Sequence, residues 1–333
     1  MPTALISSRS FGEISPIGRT ILEQAGLEVR RVGAEHRPLD PVKLERIMAD
    51  EQPDVLIAGA EPIPREVLAA SPNLRVVQKH GVGVDNIDLD AATELGIAVG
   101  NAPGTNTDAV ADLTVGFMLA LLRSVVPAAV STQSGGWERF IGHELGQLTV
   151  GVVGTGRIGR SVIQRLSGFG TRVIAFDVYK DVQAAKTLAF RYVEFEDLLR
   201  ESDIVTLHIP LMPETENLIS AQQLCWMKPT ALLINIARGE LVDEQALAEC
   251  IRVGGIAGAG VDVFATEPPQ SSPLLKLKHV IATPHIGAYT VEAMDAMARS
   301  CAETVVAVLN GQCPANVLNP SVLRTGTGTE DGS

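Results

Sequence analysis

The feature that most constrains this chain is a repeated alternation. Short runs rich in Val, Ile and Leu are each followed by a longer stretch with helical spacing. Apolar runs without polar alternation suit strands buried on both faces, and strand–helix alternation demands parallel sheets joined by crossover helices. A first series comprises 4–7, 28–32, 54–60, 75–79 and 97–101; a second comprises 149–153, 172–177, 203–208, 231–236, 259–263 and 280–283. Helical stretches at 108–123 and 290–309 separate the second series from the first and follow it. The expected fold is therefore α/β with two doubly wound parallel-sheet domains. A Rossmann domain, 102–290, is inserted into a flavodoxin-like domain made of 1–101 and 291–333.

The second series opens with a distinctive turn. Strand candidate 149–153 runs into Gly154-Thr155-Gly156-Arg157-Ile158-Gly159, and a helical pattern with Ile163, Leu166 and Phe169 follows. Such a loop lets a dinucleotide's pyrophosphate approach backbone N–H groups at a helix N-terminus. Alone the pattern could be an ordinary strand–helix turn. The next strand, 172–177, ends in Asp177, placed to accept from ribose hydroxyls and to repel a 2′-phosphate. NAD rather than NADP is the expected cofactor.

Composition narrows the partners. A net charge of −12 over 333 residues leaves no excess of basic groups for nucleic acid. The longest apolar run, 113–122, is half of the roughly 20 residues that a membrane helix needs, so no membrane association is expected. No basic-then-apolar leader is evident at the N-terminus, and the expected location is cytoplasmic. Cys225, Cys250, Cys301 and Cys313 form no C-x-x-C pair. Reduced, packed thiols are expected rather than a metal site. The tail 325–333, with Gly, Thr, Ser and two acids, has a disordered composition.

Three settings in the last third carry chemistry: Asn235-Ile236-Ala237-Arg238-Gly239, Asp262-Val263-Phe264-Ala265-Thr266-Glu267-Pro268-Pro269 and Thr283-Pro284-His285-Ile286-Gly287. Taken singly, Arg238 could be a surface ion-pair residue, His285 a core histidine and Glu267 a turn residue. Taken in this order after the glycine loop, with Gly81-Val82-Gly83-Val84-Asp85-Asn86-Ile87-Asp88, Asn101-Ala102-Pro103-Gly104 and His208-Ile209-Pro210, they are specific. From about Leu5 to Asn319 the chain resembles the D-isomer-specific 2-hydroxyacid dehydrogenases. It is nearest their D-3-phosphoglycerate dehydrogenase-like branch, without the C-terminal regulatory domain.

The resemblance implies an NAD-dependent oxidoreductase that interconverts a 2-keto acid and a D-2-hydroxy acid. It implies that Arg238 grips the substrate carboxylate, helped by the N–H groups of Val82 and Gly83. His285 would exchange a proton with the substrate oxygen while Glu267 holds its imidazole. Gly154, Gly156, Arg157, Ile158, Gly159, Asp177, His208, Pro210, Ala237, Asp262 and Gly287 would surround the cofactor, with Asp262 on the nicotinamide carboxamide. The resemblance also implies a homodimer through 108–123 and 131–148, where Trp137 is either an interface or a core residue. His36, His143 and His279 have no such context.

The substrate is less determined. Lys79, with His80 beside it, matches a basic family position and would suit a second anionic group on the substrate: phosphate, phosphonate, sulfonate or carboxylate. Lys79 could equally be a solvated strand-end lysine. Phosphoglycerate dehydrogenases of this kind commonly carry an Arg where Gly59 stands here, and Arg9 is a candidate replacement. A glyoxylate or hydroxypyruvate reductase is the alternative. Val82 replaces the Lys of phosphite dehydrogenases, and Glu267 the Gln of formate dehydrogenases. An NAD-sensing corepressor-like scaffold, which shares the Arg-Glu-His set, is the alternative of another class.

Overall fold

The computed structural model describes residues 1–324, so the tail reading for 325–333 lies outside the described residues. The chain divides into two compact units: Met1–Asn106 with the segment from Tyr289 onward, and Thr107–Ala288.

The first unit is a five-stranded parallel sheet of β1 (Thr3–Ile6), β2 (Glu28–Arg31), β3 (Val55–Ala58), β4 (Val76–Lys79) and β5 (Ala98–Gly100). Its order is β2-β1-β3-β4-β5, the flavodoxin-like arrangement. β3, β4 and β5 are buried throughout, as their apolar runs require. Burial on both faces fails at β2, where Glu28, Arg30 and Arg31 are exposed. β2 is an edge strand, and charges there discourage pairing with another chain.

Helix Pro41–Glu51 starts where Asp40 accepts the Lys43 N–H at 2.9 Å with proline in the first turn, and it buries Leu44 and Met48 one turn apart. Helix Val291–Leu309, capped by Thr290, buries Met294, Met297, Cys301, Val305 and Val308 along one stripe and packs on helix Ile17–Gln24. The backbones approach closely there, because a β-carbon on Gly18 would lie 2.7 Å from the Ala298 carbonyl.

The second unit holds β6 (Thr149–Val153), β7 (Arg172–Phe176), β8 (Arg191–Tyr192), β9 (Ile204–Leu207), β10 (Leu232–Asn235), β11 (Gly258–Val261) and β12 (Val280–Ala282). All are parallel, in the order β12-β11-β10-β9-β6-β7-β8. The chain moves outward from β6 to β8, then crosses back to place β9 on the other side of β6. Ligands of open α/β sheets bind beyond the strand ends at such a reversal. One face is covered by helices Thr107–Leu122 and Arg157–Ser167, with Phe117, Met118, Ile163 and Leu166 in the core. The other buries Leu198, Leu224, Leu247 and Ile251. β8 has only two residues and no apolar run, which is why the hydrophobic pattern did not disclose it.

One side-chain expectation needs correction, and one of two alternatives falls away. Cys301 is packed, but Cys225 and Cys313 are exposed and Cys250 is half-buried. Both exposed thiols fall on the polar faces or turns around their elements. Trp137 is not core: it is 78% exposed, in a segment without helix or strand that also leaves Ile141 fully exposed. The preceding helix, Val125–Gln133, buries no residue and exposes Val125, Val126 and Val130.

Candidate active site

The second unit carries most of the candidate residues at the carboxyl ends of its strands. β6 is followed directly by Gly154, whose φ of +94° is left-handed. A β-carbon there would also come within 2.5 Å of the His208 carbonyl, so the loops after β6 and β9 meet at the reversal point only because residue 154 is glycine. A β-carbon on Gly159 would lie 2.0 Å from the Gly154 carbonyl, so the helix sits tight on the loop. Gly156 faces open space, where a β-carbon would meet nothing within 4 Å. It caps helix Arg157–Ser167 without a side-chain bond, leaving first-turn N–H groups to an outside acceptor. These features fit a dinucleotide pyrophosphate, with one qualification. The Thr155 N–H already donates to Asp177 Oδ2 at 2.6 Å. The amides left to a phosphate are those of Gly156, Arg157 and Ile158.

Asp177 stands just past β7. Its Oδ2 also accepts the Thr155 hydroxyl at 2.9 Å, and its Oδ1 accepts the Tyr179 N–H at 2.9 Å. Burial works against its charge, yet the bonds from Thr155, Tyr179 and Val178 together hold the carboxyl below its ordinary range. It is therefore an anion at neutral pH.

Arg238, Glu267 and His285 are brought together within this unit. The loop after β10 is clamped by Asn235, which donates to the Arg238 carbonyl at 2.7 Å and accepts the Ala237 N–H at 3.1 Å. A β-carbon on Gly239 would lie 2.0 Å from the Phe264 carbonyl carbon, so this loop lies directly against the one that carries Glu267. Arg238 donates to the Ala237 carbonyl at 2.7 Å, and its charge is felt at Glu267. Glu267 receives His285 Nδ1 at 2.9 and 3.1 Å on its two oxygens, and the Phe264 N–H at 3.2 Å. Burial opposes ionisation of Glu267, but the bond and charge of His285, the Phe264 N–H and Arg238 outweigh it and depress its pKa. With Nδ1 turned to a carboxylate, Nε2 of His285 is the nitrogen available for proton exchange.

His285 occupies a left-handed backbone position, φ +54°. The turn is held by Asp262, which is fully buried just past β11. The Asp262 carbonyl accepts the His285 N–H at 2.8 Å, and its carboxylate accepts the Ile286 N–H at 2.8 Å, the Gly287 N–H at 2.7 Å and the Thr283 hydroxyl. Burial pushes the Asp262 pKa up against those bonds. Sequence reasoning gave Asp262 to the cofactor; in the structure its carboxylate serves the turn that presents His285, and its N–H donates to the Asn235 carbonyl at the end of β10. The only sequence signal for this was its position at a strand end. His208 shares a hydrogen bond with Thr206 at 2.9 Å, and desolvation takes its pKa down to about 3, so it is neutral. Pro210 is exposed and Ala237 half-buried.

The other candidates belong to the first unit. Lys79 is buried, and its Nζ donates to the Gly59 carbonyl and to Asn86 Oδ1, each at 2.6 Å. Lys79 is thus engaged in holding loops together, which neither sequence reading foresaw. His80 is buried against the Phe11 ring, with Nδ1 at 3.0 Å from the Ser10 hydroxyl. Burial, then Lys79 and Arg31, push its pKa down to about 4. Val82 and Gly83 are half-buried. A side chain at Gly59 would meet Glu61 Oε2 at 2.8 Å, so a carboxylate fills the place where an Arg was looked for.

Arg9 is exposed on the loop after β1. Sequence reasoning missed its company. Arg37 donates to the Ser7 carbonyl at 2.7 Å, and Arg31 donates to the carbonyls of Ser8 and Arg9, each at 3.2 Å, and to that of Phe11. Among the described residues, none of these three arginines has a salt bridge to a carboxylate. Burial, then the charge of Arg9, lower the Arg37 pKa. No local motif marks the group, because the loop after β1, the end of β2 and the loop beyond β2 contribute one residue each.

The doubly wound second unit, with its glycine loop, its ionised acid after β7 and its His–Glu edge, defines an NAD-binding oxidoreductase class. The profile of the D-isomer specific 2-hydroxyacid dehydrogenase NAD binding domain matches residues 115–287. A glyoxylate reductase of Thermococcus litoralis is 42% identical over 78% of this chain and 82% of its own length. A D-3-phosphoglycerate dehydrogenase of Methanocaldococcus jannaschii is 41% identical over 90% of this chain, which spans only 56% of that relative. A D-lactate dehydrogenase from Aquifex aeolicus, solved with NAD and lactic acid, superimposes with a TM-score of 0.83 at 28% identity, covering 95% of this chain and 99% of that one. The chain belongs to the D-isomer specific 2-hydroxyacid dehydrogenases.

Proposed function

We propose that this chain interconverts a 2-keto acid and its D-2-hydroxy acid, preferring NAD to NADP and favouring an acid with a second anionic group. The observation that carries the reaction type is the His285–Glu267 pair on a loop edge shared with Arg238. Bound NAD(H) supplies or accepts the hydride. Arg238 offers a planar guanidinium to the substrate carboxylate. His285 Nε2 gives a proton to the 2-oxygen during reduction and takes it back during oxidation, and Glu267 stabilises the imidazolium. Asp262 keeps the histidine turn in place. Val82 and Gly83 offer backbone N–H groups to the carboxylate, and His208, Pro210 and Ala237 line the cofactor site. Asp177 accepts from the adenosine ribose, and its charge disfavours a 2′-phosphate.

For the second anion, Arg9 and Arg37 are better supported than Lys79, whose ammonium is tied to Gly59 and Asn86. The competing reading, a small acid such as glyoxylate, draws support from Glu61 filling the space at Gly59. Steady-state rates with NADH and then NADPH on 3-phosphohydroxypyruvate, oxaloacetate, hydroxypyruvate, pyruvate and glyoxylate separate them. A preference for the doubly anionic acids supports the first reading, and a preference for glyoxylate the second. NAD binding without turnover on any acid favours the scaffold.

The exposed Val125, Val126, Val130, Trp137 and Ile141 support a homodimer. A monomeric mass by light scattering at micromolar concentration would count against it. No single described helix is long and apolar enough to cross a membrane, and four unpaired cysteines suit a reducing, cytoplasmic compartment.

A further inference from the structure

The ribose acceptor Asp177 does not stand alone. Thr155, the residue between the first two loop glycines, is 2% exposed, and each of its polar atoms is bonded. Its N–H and hydroxyl both go to Asp177 Oδ2. Its carbonyl accepts Arg160 Nε at 2.7 Å. Its hydroxyl oxygen also lies 2.8 Å from the hydroxyl of Tyr192, on the short edge strand β8. The Tyr192 oxygen in turn accepts the Asp181 N–H at 3.1 Å, and the Asp181 carboxylate pairs with Arg160 at 3.0 Å. The bonds close a ring through the glycine loop, helix Arg157–Ser167, the residue that caps helix Val182–Thr187 and β8, and Asp177 is bonded to that ring at Thr155.

The direction of each proton follows from the charge on Asp177. An ionised carboxylate only accepts, so the Thr155 hydroxyl must give it its single proton. The 2.8 Å contact between the two hydroxyls must then run from Tyr192 to Thr155. The Tyr192 lone pairs are left to accept from Asp181 N–H, as the distances have it. Each donor in such a chain polarises the next, so the far hydroxyl strengthens the bond made to the carboxylate.

We propose that Tyr192 is a positioning residue for cofactor selection: through Thr155 it fixes the Asp177 carboxylate where an adenosine ribose with free hydroxyls is accepted and a 2′-phosphate refused. The proposal rests on the reading of Asp177 as the ribose acceptor. Without the tyrosine hydroxyl, the Thr155 hydroxyl loses the donor that orients it, and the carboxylate is held firmly only by the Thr155 and Tyr179 N–H groups. Affinity for the unphosphorylated ribose then falls, and the penalty on a 2′-phosphate relaxes.

Tyr192→Phe is the conservative test. It keeps the ring, which packs edge-on against Phe190 at 5.1 Å, and removes only the hydroxyl. Binding of ADP-ribose and of its 2′-phosphorylated form to the substrate-free protein is measured by calorimetry, so no turnover is needed. Tyr192→Phe is expected to weaken ADP-ribose about fivefold, the scale of one hydrogen bond, while leaving the 2′-phosphate form unchanged or tighter. Thr155→Val is expected to cost more, Thr155→Ser to restore most of the loss, and Tyr192→Phe to add nothing once Thr155 is Val.

An unchanged ratio between the two ligands overturns the proposal. So does an equal loss of both, which marks a merely structural hydroxyl, or additivity with Thr155→Val. Asp177→Ala serves as the reference arm. If it leaves the ratio untouched, the ribose reading of Asp177 fails; if it collapses the ratio and Tyr192→Phe does not, only the relay fails. Should Tyr192→Phe fold poorly, the Thr155 pair of variants carries the test alone.

Discussion

The two units share an architecture and differ in the chemistry of their strand ends. In the second unit the loops beyond β7 and β11 present carboxylates, Asp177 and Asp262, and each is surrounded by N–H and hydroxyl donors; Glu267 follows on the loop beyond β11. In the first unit the strand ends and the loops beyond them present cations, Arg9, Arg31, Arg37 and Lys79, and the last three donate to backbone carbonyls. Parallel sheets supply a ledge where loops gather, and nothing in the sheet chooses the sign of the charge there. The loops make that choice, so a fold match alone says little about substrate.

That contrast can be broken. Arg238→Ala or His285→Ala should each cut kcat/KM by at least about 100-fold on every accepted acid, because the carboxylate and the 2-oxygen are common to all. Retained activity in either variant would overturn the role given to that residue.

Each unit holds a desolvated histidine that acid should reveal, His80 in the first and His208 in the second. His80 is neutral in the folded chain down to about pH 4, whereas an unfolded histidine takes its proton near pH 6.5. Because the folded pKa is the lower one, this contribution to stability is complete above pH 6.5 and declines as the pH falls towards 4. Between pH 6.5 and 5 the loss amounts to about 2 kcal/mol. The melting temperature of a His80→Asn variant should therefore fall less steeply over that interval, and equal slopes would refute the assignment.

A smaller and more selective effect is expected at the arginines. Arg9→Gln and Arg37→Gln should lower kcat/KM roughly tenfold for a doubly anionic acid and leave pyruvate or glyoxylate nearly unchanged. An equal loss on all acids would mean that these arginines only brace the 7–11 loop.

Most of this molecule was legible where the physics is local. Runs such as 55–58 and 149–153 must be buried, so strands were read to within a few residues. The glycine loop announced itself because turn and close approach fall on glycines within one short stretch, 154–159. What stayed hidden depended on partners far away in sequence. The two-residue β8 has no apolar run to reveal it. Lys79 looked available until Gly59 and Asn86 closed on it, and nothing local in the sequence links Arg31 and Arg37 to the 7–11 carbonyls that they meet. The link from Tyr192 to Thr155 likewise joins residues whose sequence neighbourhoods give no hint of one another.

The left-handed backbone of His285 sets selection for stability against selection for catalysis. A side chain with a β-carbon costs about 1–2 kcal/mol in that region, which glycine escapes and asparagine tolerates better. The half-exposed hydrogen bond with Glu267 returns only part of that cost. His285→Gly is thus expected to raise the melting temperature slightly while abolishing turnover. A library sorted on heat resistance alone should lose this histidine early, and one sorted on turnover should never part with it.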